Sequence, residues 1–445
     1  MEWFNLISPA RLSESETQSP AAYRSEFDRD VDRIIFSHPF RRLQDKTQVV
    51  PLPEHDFVHT RLTHSLEVSS VGRSLGKRVA ATLFQRYPEL EKTGTNPSDI
   101  GSAVAAACLA HDIGNPPFGH SGELAISEIF KTGFAQLAEA ECTEAQLADL
   151  RSFEGNAQGF RLLAGKGKDG LKLTVTTLGA FLKYPRESVL SNRDTSKRSQ
   201  KKYGFFQSEK QLADTLAGKL QLKRHDSKEL CFSRHPLVYL TEAADDICYL
   251  IIDLEDAVRM HVVSEKEYVD LLAPILGDSF QREKYDEMAT LNDRIGLLRA
   301  MSINKLADEC ADFFLDNEAD ILSGKLDQSL SDLIPRADVL REINGFSVKN
   351  IYNSQQVLEI QSAGFKVLPG LMEIFMSAAE DARLNGGKPR NPANKNNWDL
   401  FKTMTETSAV PLDFYATAVM VIDFVSGLTD RHAVRLYRKL NGLHY

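Results

Sequence analysis

Cys108-Leu109-Ala110-His111-Asp112-Ile113-Gly114-Asn115-Pro116-Pro117-Phe118-Gly119-His120-Ser121-Gly122-Glu123 is the stretch that decides how this chain folds and works. It closes a run rich in alanine and other small residues, Ser98 to Ala110, which predicts a helix buried on most sides. That helix delivers an adjacent imidazole and carboxylate, His111 and Asp112. A Gly/Pro loop follows, and beyond it His120 precedes Glu123 by three residues. An imidazole beside a carboxylate suits a divalent metal, and a His/Glu pair past a tight turn suits proton transfer near that metal.

Moving outward, apolar residues recur at helical spacing from Thr60 through Val79, with His64 near the start of that helix. Phe27 to Phe36 carries the same period, and Phe40 to Pro51 reads as a short helix or binding loop. Ala125 to Leu150 continues as helix, Phe153 opens another, and Leu171 to Tyr184 is an apolar, threonine-rich segment with Lys183 near its end. Arg193 to Lys202 holds five basic residues in a polar stretch and is expected to be a flexible flap. Pro236 to Val258 is a strong helix, and the chain stays helical by period to about Ala382. Ala382 to Asn397 is expected to be an irregular loop, before final helices between Leu412 and Leu440. With no internal repeat and no sustained strand alternation, the expected fold class is all-α. The expected organisation is a mobile lead-in over 1–26, a core over 27–270 and a C-terminal helical region over 271–445.

The chain has 445 residues, 42% hydrophobic and 26% charged, enough for a large core. Its formal charge of −9 argues against a protein whose main task is coating nucleic acid, so a polyanionic ligand must be met by a local basic cluster. Five cysteines lack CxxC spacing, which points away from disulfides and zinc knuckles and toward a cytoplasmic location. Neither a signal core nor a membrane-length apolar run is evident, so no membrane partner is expected.

His64, His111, Asp112 and Asp245 lie on three separated segments that can converge. Two imidazoles and two carboxylates make a mixed N/O site for a divalent ion with positions left open for water and substrate. Asp245 is preferred to its neighbour Asp246 because Asp245, Tyr249 and Asp253 share one helical face, whereas the stripe of Asp246 continues through Leu250 and Leu254. The competing view is that this stripe is only a solvated face. His55 and His59 could add a second metal, although loop histidines are more often hydrogen-bonded locally.

In this order, His64, His111-Asp112 and Asp245 resemble the H…HD…D signature of the HD phosphohydrolase superfamily. The longer strings Phe40–Gln44 with Lys46–Gln48, His59–Ser65, Ala110–Glu123, Glu154–Gly159, Glu242–Asp256 and Ser426–Asp430 resemble the deoxyguanosinetriphosphate triphosphohydrolase (dGTPase) family. That resemblance implies an HD-domain helical core with additional N- and C-terminal helices. It also implies hydrolysis of dGTP, with other dNTPs as alternative substrates, to deoxynucleoside and inorganic triphosphate by water attack at the α-phosphorus. His64, His111, Asp112 and Asp245 would hold Mn²⁺ or Mg²⁺, with Fe²⁺, Co²⁺ or Ni²⁺ as alternatives. His120, oriented by Glu123, would exchange a proton with water or with the leaving oxygen. Arg61, Lys183 and Tyr184 would contact phosphates. Gln48, Tyr249 and Asp253 would frame the sugar, with the Tyr249 ring excluding a 2′-hydroxyl, while Asn115 and Glu154 line or brace the cavity. The family architecture further implies a homo-oligomer, a hexamer by preference, and single-stranded nucleic acid is a candidate regulator. Two alternatives stand beside this: another HD-type phosphomonoesterase or phosphodiesterase, and a catalytically silent nucleotide- or nucleic-acid-binding regulator.

Overall fold

The structure is a computed structural model that describes residues 1–12, 24–48, 59–165, 170–225, 228–389, 391–405 and 409–443. Among these residues the chain is helical, and extended pairing is confined to four isolated bridges.

Two long helices form the frame of the site. Arg61–Arg86 begins on a capping box in which Thr60 and Thr63 satisfy each other's backbone N–H groups. Pro97–Ala110 begins on an Asn96/Asp99 capping box with proline in its first turn. The two approach closely because small residues face one another. A Cβ on Gly72 would lie 2.4 Å from Cys108 Sγ, and one on Gly76 would lie 3.0 Å from Gly101 Cα. This contact fixes where His64 stands relative to His111.

Past Ala110 the chain turns on Gly114, which is pressed onto the start of the Gly155–Ala164 helix; a Cβ there would meet Gly159 N at 2.1 Å. Phe118 and Gly119 then both adopt left-handed backbone, φ 61° and 57°, and launch the Gly119–Ile129 helix that carries His120 and Glu123. Pro236–Arg259, the helix of Asp245, starts on His235, whose ring accepts from Leu237 N–H and donates to Leu6 O.

Apolar packing gathers into two cores. One joins the Arg61–Arg86, Pro97–Ala110 and Pro236–Arg259 helices with residues as distant as Trp3 and Ile351. The other joins the His120 helix with the Gln355–Leu384, Phe414–Ser426 and Asp430–Leu440 helices. Chain order and packing therefore divide differently, because residues 118–157 leave the first core and pack with the C-terminal helices.

Several expectations need correcting. Residues 1–12 are not a loose lead-in: Trp3, Leu6 and Ile7 are buried, and Arg11 is paired with Glu26 and Asp30. Residues 13–23 of that expectation, and His55, lie outside the described residues. The helix expected over 125–150 is three pieces ending at Ile129, Glu141 and Arg151. Within the loop expected over 382–397, Pro392 instead starts a helix to Met404, capped by Asn391. Arg193 to Lys202 is pinned by ion pairs of Arg198 to Glu242 and Lys202 to Glu154, and by Ser199 on Asp327. This basic run looks solvated only until the remote partners of Arg198, Ser199 and Lys202 are known.

Candidate active site

His64, His111 and Asp245 converge, each offering one ligand atom, with all three atoms within 4.8 Å of one another. His111 Nδ1 donates to the Cys108 carbonyl at 2.7 Å, which fixes its tautomer and leaves Nε2 as a bare lone pair. That Nε2 has no hydrogen-bond partner and faces Asp245 Oδ1 at 3.4 Å. Two acceptors turned toward each other in a buried site call for a cation between them. His64 Nε2 lies 3.2 Å from the same Asp245 oxygen, and its Nδ1 is a second buried atom without a partner. The donor set therefore fits a divalent ion of the borderline or hard kind.

Asp112, the fourth expected ligand, stands beside this cluster with Oδ1 3.6 Å from His111 Nε2. Arg61 donates to its Oδ2 at 2.5 Å and Asn115 to its Oδ1 at 2.6 Å, so both expected contact residues brace the carboxylate.

His120 projects into solvent, 73% exposed, and its Nδ1 is 2.8 Å from Glu123 Oε2. The other Glu123 oxygen accepts Gly155 N–H at 2.7 Å. The Glu123 hydrogen bond raises the His120 pKa above its ordinary value, although partial burial opposes it. Glu123, buried yet stabilised by His120 and by Lys202, is lowered.

Two lobes of one cleft share Arg61, Asp112, His120 and Asp245. The first, about 530 Å³, is walled by Gln48, Tyr249, Tyr352 and Asp430. Tyr249 stacks on Tyr352, ring centroids 5.4 Å apart, and Tyr352 donates to Asp253 at 2.9 Å. Asp253 is 3% exposed, and burial raises its pKa well above the ordinary value. Among the expected sugar contacts, Gln48 and Tyr249 wall the cavity while Asp253 stands behind Tyr352. The second lobe, about 390 Å³, is lined by Lys183, Tyr184, Asn115 and Lys202. Lys183 lies 3.2 Å from buried Glu242, which also takes Arg198 at 2.5 Å and Arg234 at 2.6 Å. Burial disfavours the Lys183 charge, but Glu242 together with Tyr184, Asp246 and Asp245 outweighs it and raises the pKa. Glu154 pairs with Lys202 at 2.9 Å, and burial together with the Glu123 charge pushes its pKa up to about 7.

The sequence did not announce Tyr352, and it offered Lys202 only as one of five cations in a basic run and Glu242 only as the first residue of the Glu242–Asp256 string. Tyr352 ends a single π-helical turn, Val348–Tyr352, with no local signature. Lys202 meets Glu154, and Glu242 meets Lys183 and Arg198, across more than forty positions, with Arg234 as a nearby partner of Glu242. His59 is no second metal ligand here, because its ring is held between Asp256 at 2.8 Å and Glu67 at 3.2 Å.

Residues 61–151 match the family model for the HD domain. A protein of Synechocystis sp. named deoxyguanosinetriphosphate triphosphohydrolase-like is 40% identical, with all of both chains aligned. A Pseudomonas aeruginosa protein of the same name is 37% identical over 99% of each chain. The Cronobacter sakazakii protein named deoxyguanosinetriphosphate triphosphohydrolase is 32% identical over 95% of this chain and 96% of its own.

Proposed function

The chain belongs to the deoxyguanosinetriphosphate triphosphohydrolase-like family of HD-domain proteins, and on that footing we propose that it hydrolyses deoxynucleoside triphosphates, dGTP foremost, to deoxynucleoside and inorganic triphosphate. The observation that carries this is the pairing of His120 with Glu123 in a cleft whose two lobes are both lined by His120 and by Asp245 of the His64/His111/Asp245 cluster. One lobe is aromatic and suits a nucleoside; the other carries Lys183 and Lys202 and suits a polyphosphate. The bond between them, at the α-phosphorus, would then lie over the cluster.

His64, His111 and Asp245, with Asp112 alongside, are the residues that would hold Mn²⁺ or Mg²⁺. When bound, such an ion supplies Lewis acidity and lowers the pKa of water. Arg61 keeps Asp112 ionised and oriented. Lys183 and Lys202 would turn from their carboxylate partners toward phosphate oxygens. Glu123 holds the His120 ring by Nδ1, so Nε2 is the nitrogen free to exchange a proton with water or with the 5′-oxygen that leaves. Tyr249 would crowd the sugar's 2′ position.

We also place the enzyme in the cytoplasm as a homo-oligomer, a hexamer by preference. All five cysteines are free, and no described helix is long and apolar enough to cross a membrane. Phe36, Leu384 and Leu412 are large apolar side chains left exposed, which suits contact with other copies. Incubation with each dNTP and GTP, with Mn²⁺ or Mg²⁺ and with or without single-stranded DNA, tests the proposal. Inorganic triphosphate is the expected product; dGMP or dGDP without triphosphate would overturn it.

A further inference from the structure

The metal-ligand cluster and the His120/Glu123 pair stand on helices of different cores, so something must set the two against each other across the seam. Asp430, 1% exposed at the start of the last helix, reaches both sides. Its Oδ2 accepts Thr47 N–H and its Oδ1 accepts Phe118 N–H, each at 3.1 Å. Thr47 is bridged to Thr60, and Lys46 O accepts Arg61 N–H at 3.1 Å, so this end of the contact is the beginning of the His64 helix. Phe118 immediately precedes the His120 helix, which has no side-chain cap at that residue. Beside it, buried Lys46 donates to Asn115 O at 2.5 Å and to Ser426 O at 2.8 Å.

Phe118 needs this support. A bulky residue with φ of 61° and ψ of 16° is held in the left-handed region only when its surroundings over-determine it. Its ring packs where Gly364 leaves room, a Cβ there lying 3.0 Å away, and its N–H is directed by Asp430. Without the carboxylate, the turn can relax toward right-handed or extended backbone, and the first residue it would displace is His120.

We infer that Asp430, assisted by Lys46, is a positioning residue that registers His120 on the metal-ligand cluster across the seam between the two cores. This rests on the proposed triphosphohydrolase reaction. Asp430→Asn keeps the side-chain size but sets an amide NH₂ against one of the two backbone N–H donors. A small displacement of a proton-transfer group costs about 10- to 100-fold in rate.

The test uses the full chain with Mn²⁺ and the best dNTP substrate. Asp430→Asn is expected to lower kcat about 10- to 100-fold, leave KM within about threefold, and leave Mn²⁺ affinity in the absence of substrate unchanged by calorimetric titration. Lys46→Met should do the same, and the double variant should lose little more than either single one. Should Asp430→Asn fail to fold by circular dichroism, Lys46→Met carries the same readouts. An unchanged kcat, or a kcat loss matched by weakened Mn²⁺ binding, overturns the inference. If the wild type releases some other product, the proposed function fails instead, and the variant-to-wild-type ratio on that product still tests the positioning role.

Discussion

Glu123 divides its two oxygens between His120 and Gly155 N–H, so the imidazole is both aimed and made more basic. Glu123→Gln should therefore move the His120 limb of the kcat/KM profile to lower pH, whichever role the imidazole has, and lower kcat about tenfold or more. A pH–rate profile with the limb in place would remove Glu123 from that role. Tyr249, stacked on Tyr352 in the wall of the aromatic lobe, is expected to reject a 2′-hydroxyl by crowding. Tyr249→Ala should narrow the dGTP/GTP ratio of kcat/KM by roughly tenfold, measured with both substrates at equal Mn²⁺. At this scale the sequence was informative where one short string places the candidate residues together, as in His111-Asp112 and His120 with Glu123. It was silent where a side chain is defined by a distant partner: Asp253 shares the helical stripe of Asp245 and Tyr249 yet ends up behind Tyr352, and periodicity alone cannot reveal what covers a face.

Helices are placed here by what small residues permit. Gly72 and Gly76 let the His64 helix lie against Pro97–Ala110, and Gly114 lets the ligand turn rest on backbone of the Gly155–Ala164 helix. Gly114→Ala should destabilise the protein by at least about 2 kcal/mol, since the nearest obstacles are backbone atoms at 2.1 and 2.2 Å that cannot rotate away. Urea unfolding checks this, and a cost within about 0.5 kcal/mol of zero would mean the turn has slack that its packing does not suggest. The helices from Thr60 and from Ser98 were legible beforehand because apolar period and small-residue runs are local signals, whereas their caps, Thr60 and Asn96, emerge from the structure. Pro392–Met404 was not, since asparagines and prolines read as loop although Asn391 and Pro392 serve as cap and first turn.

For the molecule as a whole, His59 shows how the chain is secured to the core just before the His64 helix. Burial disfavours its charge, but hydrogen bonds to Asp256 and Glu67 raise its pKa from 6.5 to about 10. Between those values the folded state binds the extra proton, so stability from this site is complete below about pH 6.5 and is lost as pH rises toward 10. His59→Gln should be less stable than wild type by roughly 1–3 kcal/mol at pH 6, with the gap closing by pH 10. Denaturant midpoints at the two pH values decide it, and a gap independent of pH would mean the imidazole is not protonated in the fold. The all-α class was evident from sequence, whereas the two-core packing was not, because it returns residues 118–157 to partners more than two hundred positions away. On the proposed function, finally, Glu242 would make the Lys183 lobe a competitive exchanger. Lys183 and Arg198 already have a carboxylate counter-ion, so an incoming ligand must out-compete a resident anion. A triphosphate, with more charge than a single phosphate, would compete better for these cations. Inhibition by inorganic triphosphate should then exceed that by pyrophosphate and phosphate by more than charge alone explains, and Glu242→Gln should flatten that ranking. The lobe would weigh a ligand's valence before its shape.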